Sequence, residues 1–193
     1  MNDTLCGRHT HTQVACGTGR FGTFVRDNHP SAEMASVDLS PFYLDAARDN
    51  HNYWRRMRGG GSSEGDATAT ATTFVQAPAE GLPFEDGAFD AVVCVYLFHE
   101  MPHEARAQAA AEMGRVLAPG GVLAFTDSVQ RGDRPPLDDR LGAFSDLNEP
   151  HYEDYIRSDI GAYFEDAGLE AGGKWIASTS KTLGFTKPEA VVA

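Results

Sequence analysis

The chain has 193 residues, 41% hydrophobic and 23% charged, a composition typical of one globular domain with a full hydrophobic core. Its formal net charge of −12 would repel a phosphate backbone, so nucleic acid is not expected as a partner. The densest basic stretch, Arg55, Arg56 and Arg58, is predicted to be an exposed helix end. No apolar run approaches the ~20 residues that span a bilayer, so membrane insertion is not expected either.

Cysteine usage indicates the compartment. The three cysteines, Cys6, Cys16 and Cys94, form no CxxC pair and are odd in number, which argues against a disulfide framework. We therefore expect a reducing compartment, either the cytoplasm or the soluble interior of an organelle. Cys94 lies in an apolar run and is predicted to be a small core residue. No secretory segment opens the sequence. Residues 1–12 are polar and patternless, so an irregular start is expected. Whether a targeting segment is missing from this start stays open.

The first predicted unit is a strand, a turn and a short helix. A β-type run at Gln13–Cys16 leads directly into a glycine-rich stretch. Apolar residues then recur at helical spacing and are expected to form one helix face: Phe21, Phe24 and Val25.

A second strand, Met34–Asp38, is followed by a strong helix start. Ser40 supplies a hydroxyl cap and Pro41 stands at the first helical position. The apolar residues expected near one face of this helix are Phe42, Ala46 and Tyr53.

Residues 59–73 are rich in glycine, serine and alternating alanine and threonine, which offer little to bury, and are predicted to be a flexible surface loop. Because the alternation of strands and helices resumes directly afterwards, residues 1–193 are predicted to be a single α/β domain with a mostly parallel sheet. The later elements are strands Thr73–Ala77 and Phe89–Phe98, a helix His103–Leu117 that "APGG" ends, strand Val122–Ser128, a helix Tyr152–Ala167 before Gly168, and an antiparallel hairpin of Lys174–Ser178 and Thr182–Lys187.

The segment "ACGTGRFG" spells G-x-G-x-x-G with Gly17, Gly19 and Gly22, after a strand and before a helix. Glycines let the backbone approach a ligand closely, and the helix start offers free N–H groups. Asp38 ends the second strand, where a carboxylate can accept both hydroxyls of a ribose. Two interpretations of Asp38 stay open, namely ribose binding and capping of the next helix.

Two later segments distinguish between cofactors. "APAEGLPFEDGAFDAVVCVYLFHEMP" (77–102) and "EMGRVLAPGGVLAFTD" (112–127) are not explained by a dinucleotide site. Together with "ACGTGRFG" and "VDLSP", they resemble the class I S-adenosylmethionine-dependent methyltransferases of the small-molecule type, over residues 13 to 187. The resemblance implies a Rossmann-like three-layer sandwich whose seven-stranded, mostly parallel sheet ends in an antiparallel hairpin.

The resemblance also implies where S-adenosylmethionine binds and S-adenosylhomocysteine is released. The turn after the first strand would wrap the methionine part, Asp38 would hold the ribose and Leu39 would pack on the adenine. The remaining implied cofactor contacts are Gln13, Ala15, Cys16, Gly17, Thr18 and Gly19 around the turn, Ala79 and Glu80 along the adenine edge, and Val95 and Tyr96 below the sulfonium.

Two positions depart from the family pattern. The family usually has an acidic residue where this chain has Gln13, so the charge-assisted part of a hydrogen bond to the cofactor's amino group, worth ~1–2 kcal/mol, is lost. An aspartate often precedes the alanine of "AEGLPF", and Pro78 cannot accept a hydrogen bond from the adenine amino group in its place. We therefore expect weakened cofactor affinity.

Candidate catalytic residues follow the strongest strand, at the edge where open α/β sheets bind ligands. His99 and Glu100 are predicted to orient or deprotonate an acceptor, although a backbone-bonded histidine at a helix start is an equal interpretation of His99. Asp127 is predicted either to line the acceptor pocket or to be a loop acid. Tyr152 and Tyr155 are predicted to cover the acceptor, or else to pack a helix on the sheet. No cysteine and histidine set has metal-ligand spacing, so no metal is expected.

The sequence thus predicts S-adenosylmethionine-dependent methyl transfer to a small-molecule acceptor. The alternative is a methyltransferase-like domain with little or no activity that serves as an interaction subunit with a protein partner; Gln13 and Pro78 favour it. A nicotinamide-dependent oxidoreductase fits worst, because it leaves the "PGG" and "AEGLPF" segments unexplained.

Overall fold

A computed structural model describes residues 9–58, 71–141 and 149–189. The strands are β1 (Thr10–Val14), β2 (Glu33–Asp38), β3 (Thr72–Gln76), β4 (Phe89–Val95), β5 (Leu117–Ser128), β6 (Glu170–Ala177) and β7 (Ser180–Thr186). The α-helices are α1 (Arg20–Asn28), α2 (Pro41–Met57), α3 (His103–Val116), α4 (Asp138–Leu141), α5 (Tyr152–Arg157) and α6 (Ile160–Asp166), and 3-10 turns occupy Phe98–Glu100 and Pro135–Leu137.

All seven strands form one sheet in the order β3-β2-β1-β4-β5-β7-β6. The first five of these strands are parallel, and β7 runs antiparallel to both β5 and β6. The chain moves outwards from β1 through β2 to β3 and then returns to the other side of β1 with β4. The predicted Rossmann-like α/β fold with a closing antiparallel hairpin is confirmed, and β1 and β4 flank the point where the strand order reverses.

The helices cover the sheet in two groups, with α1 against α2 and α3 against α6. The main core includes Cys94, Phe98, Phe125 and Phe164, none of which has exposed surface, so the core position predicted for Cys94 is confirmed. A smaller apolar cluster joins Cys16 to two α2 residues, Leu44 and Ala47. Among the described helices, none has the length and apolar character needed to cross a membrane.

The first unit differs from the prediction at both ends. β1 begins at Thr10, so residues 10–12 are not irregular, and it ends at Val14 because Ala15 has a left-handed φ of 55°. In α1 the buried residues are Gly22 and Thr23, whereas Phe21 and Phe24 are exposed. The apolar residues predicted to share one face of α1 therefore do not supply its buried face, which consists of small residues.

The start of α2 is confirmed: the Ser40 hydroxyl accepts a hydrogen bond from the Tyr43 amide, and Pro41 begins the helix. The residues predicted near one face, Phe42, Ala46 and Tyr53, are not the buried ones. The buried residues of α2 are Leu44 and Ala47, because these two pack against Cys16 and Phe74. The basic residues at the end of α2 are exposed, as predicted: Arg55, Arg56 and Arg58.

The predicted loop at 59–73 is tested only at its end, since residues 59–70 lie outside the described part of the chain. Thr72 and Thr73 belong to β3 and pair with β2, so there the loop prediction is wrong. The strand predicted over Phe89–Phe98 ends earlier, at Val95, because Tyr96 has a φ of 55° and Phe98 begins the 3-10 turn. This early end turns the chain back over the sheet edge.

Three later elements also depart from their predicted bounds. The "APGG" segment lies inside β5, where the register shifts between Phe89 opposite Leu117 and Ala91 opposite Val122, so it forms a bulge in the strand. The helix predicted from 152 to 167 is two helices, because Asp159 caps a new start by accepting from the Ala162 amide. The closing hairpin is confirmed, with somewhat longer strands than predicted.

Candidate active site

A cavity of about 910 Å³ opens at the carboxyl ends of β1 and β4, where the strand order reverses. Of the residues predicted to bind a cofactor, all but Gly19 line this cavity. Pro78 lines it as well. The structure thus brings together side chains from four separate segments of the chain, while their contacts with a cofactor remain a prediction.

The turn after β1 is built from left-handed backbone at Ala15, Gly17 and Gly19, with φ of 55°, 51° and 72°. Gly19 faces α2 rather than the cavity, and a Cβ there would lie 2.9 Å from the Ala47 Cβ. At Gly22 a Cβ would lie 3.1 Å from the Gln13 Oε1 atom. The first glycine allows the turn, and the other two allow close packing behind it.

Asp38 connects the ends of β1 and β2. Its Oδ2 accepts a hydrogen bond from the Gly17 amide at 2.8 Å, and its Oδ1 accepts one from the Ser40 amide at 2.9 Å. The residue is 8% exposed and lines the cavity. The cap of α2 is Ser40, so Asp38 is not the helix cap, and ribose binding by Asp38 stays a prediction. The two amide hydrogen bonds are compatible with ribose binding, because an ionised carboxylate has about four lone-pair sites.

Gln13 is the most unusual polar residue of the cavity. It is 2% exposed, yet its Oε1 atom is buried without a hydrogen-bond partner among the described residues. Leaving a buried carbonyl oxygen unpaired costs about 1–3 kcal/mol. A cationic amine or another N–H donor in the cavity would satisfy this atom.

The turn after β4 holds the predicted catalytic residues. The Tyr96 amide donates to the Thr126 carbonyl at 2.8 Å, and the Tyr96 hydroxyl is hydrogen-bonded to the Ser180 hydroxyl. Glu100 lines the cavity with a side chain that is 57% exposed. His99, with a side chain 14% exposed, lies behind Glu100 and is not part of the cavity wall.

Asp127 fixes this turn from the end of β5. It has no exposed surface, its Oδ1 lies 2.7 Å from the His99 Nδ1 atom, and its Oδ2 accepts a hydrogen bond from the Phe98 amide at 2.9 Å. Burial lowers the pKa of His99, but the hydrogen bond and charge of Asp127, with the nearby glutamates, outweigh burial and raise that pKa above its usual value. Asp127 is therefore neither an acid in a loop nor a residue of the cavity wall. It is a buried residue that holds His99 by a hydrogen bond.

Tyr152 and Tyr155 lie on α5 and are buried, with 4% and 0% exposure. Their rings pack at 6.3 Å and 6.2 Å from the His99 ring, and the Tyr155 hydroxyl donates to the Ser128 carbonyl at 2.6 Å. Neither side chain lines the cavity. Their position corresponds to the packing interpretation, and contact with an acceptor would need α5 to move.

Arg106 of α3 is the largest fully buried side chain among the described residues and joins both halves of this region. Its Nε donates to the Phe98 carbonyl at 2.8 Å, and its other nitrogens donate to the His151 carbonyl at 3.0 Å and to Asp154 at 2.6 Å. The 3-10 turn and the start of α5 are therefore held in one geometry. Sequence reasoning missed Arg106 because an arginine in a helix usually indicates an exposed position.

The rim of the cavity adds apolar residues that sequence reasoning did not assign to the site. Phe21 and Phe24 are 38% and 50% exposed, and Tyr43 is 53% exposed. The signal was their place in the first turns after β1 and β2, at the edge where such sheets bind ligands. An apolar rim of this kind favours a ligand with a large apolar part.

The strand order, the glycine turn after β1 and the acidic end of β2 define a Rossmann-like domain of the class I methyltransferase type. Residues 12–121, more than half of the chain, match the family described as "Methyltransferase domain", and the chain belongs to that family. The chain is 29% identical over 176 residues to a demethylmenaquinone methyltransferase of Deinococcus radiodurans, covering 91% of this chain and 61% of the relative.

A second relative and a solved structure are similar to this chain as well. A fatty-acid O-methyltransferase of Mycolicibacterium smegmatis is 30% identical over 64% of this chain and 38% of its own length. A solved O-methyltransferase family protein from Burkholderia thailandensis has a TM-score of 0.72 at 21% identity, over 94% of this chain and 52% of that chain. The chain thus spans 61% and 38% of the lengths of the two curated relatives named above.

Proposed function

We propose that the chain binds S-adenosylmethionine in the cavity beside β1 and transfers its methyl group to a small-molecule acceptor. The observation that carries the proposal is the unpaired, buried Oε1 atom of Gln13, a residue that lines the cavity. It lies at the family position that orients the amino group of the cofactor. Methyltransferase relatives along most of the chain support the same activity.

The residues present fit the cofactor at its polar ends. The Gln13 carbonyl would accept from the amino group of the methionine part, and the lone pairs that Asp38 leaves free would accept from the ribose hydroxyls. Leu39, which is 66% exposed at the cavity, would pack on the adenine. Pro78 offers no acceptor to the adenine amino group, so the adenine is held by packing and by backbone groups of Ala79 and Glu80.

When bound, S-adenosylmethionine supplies a methyl group on a positively charged sulfur that an acceptor displaces in line. The chain's own contribution is mainly orientation, because proximity alone can supply most of the acceleration in such a displacement. A cavity of about 910 Å³ lies at the upper end of the range for small-molecule sites, roughly 300–1,000 Å³, and leaves room for an acceptor. We assign orientation of the acceptor and removal of its proton to Glu100 at the wall and His99 behind it.

The apolar rim of the cavity also restricts the class of acceptor molecule. Relatives are named for demethylmenaquinone and for a fatty acid, and the exposed Phe21, Phe24 and Tyr43 suit an acceptor with an apolar body. We therefore propose a lipophilic small molecule that carries one polar atom to be methylated.

Calorimetric titration with S-adenosylmethionine and S-adenosylhomocysteine tests the proposal. We expect binding of one equivalent of either ligand, strongly weakened in Asp38→Asn and unchanged in Asp45→Asn. Asp45 loses the same charge from an exposed position on α2, and the melting temperature of each variant reports whether it folds. Absence of binding at about 0.5 mM ligand, an affinity weaker than about −4.5 kcal/mol, would refute the enzyme and leave the interaction subunit.

A further inference from the structure

Three ligand atoms from two distant parts of the chain meet beside the cavity. The His99 imidazole and the carboxylates of Glu100 and Glu149 each offer one atom, and these atoms all lie within 4.8 Å of one another. The His99 Nε2 atom lies 3.5 Å from the Glu100 Oε1 atom. For ligands at about 2.1 Å from a tetrahedral ion such as Zn²⁺, neighbouring ligand atoms lie at about this separation.

Glu149 provides a second and independent observation. Its Oε2 atom is buried and has no hydrogen-bond partner among the described residues. A buried carboxylate oxygen normally has a donor or a cation beside it, because removal from water is otherwise uncompensated. In the part of the chain that the structure describes, the only other side-chain atoms of this kind are Gln13 Oε1, assigned above to the cofactor, and Thr72 Oγ1.

The surroundings of His99 prepare it as a ligand. Its Nδ1 atom lies 2.7 Å from the buried Asp127 carboxylate, which when ionised can only accept a hydrogen bond, so Nδ1 carries the donated proton. The Nε2 atom, 3.5 Å from the Glu100 Oε1 atom, binds a cation once it is deprotonated. Histidines that bind metal ions commonly donate their other N–H to a carboxylate in this way. Arg106 holds the carbonyls of Phe98 and His151, so the two segments that carry the ligands keep a fixed separation.

We propose that His99, Glu100 and Glu149 bind a divalent transition-metal cation of the Zn²⁺ or Mn²⁺ type. One imidazole and two carboxylates suit these ions, and three protein ligands leave a coordination position open. Of the three residues only Glu100 lines the cavity, so the site adjoins the space assigned to the acceptor.

This site deepens the proposed function and rests on it for its role in catalysis. A cation held by these three ligands would bind an oxygen of the acceptor at its open coordination position. It would thereby lower the pKa of the acceptor's hydroxyl. The acceptor class is then an oxygen nucleophile on a lipophilic body. In this arrangement His99 and Glu100 are ligands of the cation, so they promote loss of the acceptor's proton through the cation.

The expected absence of a metal rested on cysteine and histidine spacing in the sequence. The spacing of cysteines and histidines cannot reveal a site of this kind, because two of the three ligands are glutamates and Glu149 is far from His99 along the chain. Only the packing of α5 against the 3-10 turn brings them together.

Titration of chelator-treated protein with Zn²⁺ and with Mn²⁺ tests the proposal, by competition with a chromophoric chelator and by electron paramagnetic resonance. We expect one equivalent to bind, with affinity reduced at least about tenfold in Glu149→Gln and in Glu100→Gln, and about 10–100-fold in Asp127→Asn. Glu104→Gln, an exposed glutamate at the start of α3, is the matched control and should bind as the unaltered chain does.

Two design points keep the outcome unambiguous. The ring centroids of the buried His11 and the exposed His29 lie 5.2 Å apart and offer a competing site, so all proteins carry His29→Gln. Titrations use no S-adenosylmethionine, so this test and the calorimetry above succeed or fail independently. Unaltered cation affinity in both Glu149→Gln and Glu100→Gln, or no binding of either ion at about 1 mM, would overturn the site.

Discussion

The Asp127 Oδ1 atom lies 2.7 Å from the His99 Nδ1 atom, while the other oxygen of the same buried carboxylate accepts a hydrogen bond from the Phe98 amide. One side chain at the end of β5 therefore sets both the orientation of an imidazole and the path of the turn that carries it. Because β4 and β5 are paired in register, this geometry is fixed by the sheet itself.

Asp127→Asn should lower the pKa of His99, because the carboxylate that outweighs the effect of burial is removed. The pKa of His99 is higher in the folded chain than in the unfolded chain, where it is ~6.5. At pH values below the unfolded pKa, the pairing with Asp127 therefore makes its full contribution to stability. This contribution is lost as the pH rises through the folded pKa. The variant should therefore lose more unfolding free energy near pH 5.5 than near pH 9.

Nuclear magnetic resonance titration of the His99 ring, in the presence of a chelator, measures the pKa directly. Denaturant unfolding of both proteins at the two pH values measures the difference in stability. A loss of stability that is equal at both pH values would show that Asp127 acts only through the Phe98 amide.

The glycines of the turn after β1 make a matched pair. Gly17→Ala meets nothing within 4 Å and should cost about 1–2 kcal/mol for its left-handed φ of 51°. Gly19→Ala has the same backbone penalty, and its Cβ lies 2.9 Å from the Ala47 Cβ, so overpacking should add about 1–3 kcal/mol. Urea unfolding should rank Gly19→Ala as the less stable variant, and the reverse order would refute the packing role of Gly19.

Gln13→Glu should tighten S-adenosylmethionine binding by about tenfold, since a charge-assisted hydrogen bond exceeds a neutral one by about 1–2 kcal/mol. The same change should lower the melting temperature of the ligand-free protein, because residue 13 is 2% exposed and a carboxylate there loses its hydration. Calorimetry and thermal melting measure the two effects. Gln13→Met, which removes the hydrogen-bond acceptor at similar volume, should weaken S-adenosylmethionine binding. If this variant binds the ligand as tightly as the unaltered chain does, the Oε1 atom has no role in affinity.

Arg106→Met should destabilise the fold by about 3–5 kcal/mol, as expected when one partner of a buried, charged hydrogen-bond network is removed. The variant leaves the carbonyls of Phe98 and His151 without their donor. Arg157→Met, whose side chain is 61% exposed and pairs with Glu153 on the same helix, should change stability by less than about 0.5 kcal/mol. Similar losses in the two variants would show that Arg106 is not the link between α3 and α5.

Several features could be predicted because their causes lie within a few residues of sequence. The hydroxyl and proline at Ser40 and Pro41 start α2 by local hydrogen bonding, and the alternation of strands and helices defines the parallel sheet and its edge. Asp38 was located for the same reason, since it is the last residue of a strand. The break between α5 and α6 also had a local signal in Asp159, which the longer helical periodicity concealed.

By itself, the sequence determined the class of fold, the glycine turn and the edge at which the cavity and the predicted cofactor contacts lie. Only the tertiary structure decided which helix faces are buried, because packing against Cys16 and Phe74 placed Leu44 and Ala47 inside, while Phe21 and Phe24 lie at the cavity rim. It also decided that Glu149 meets His99 and Glu100, and that Asp127 and Arg106 hold them. Such pairings depend on the closure of long loops and on burial, which no local pattern of residues records.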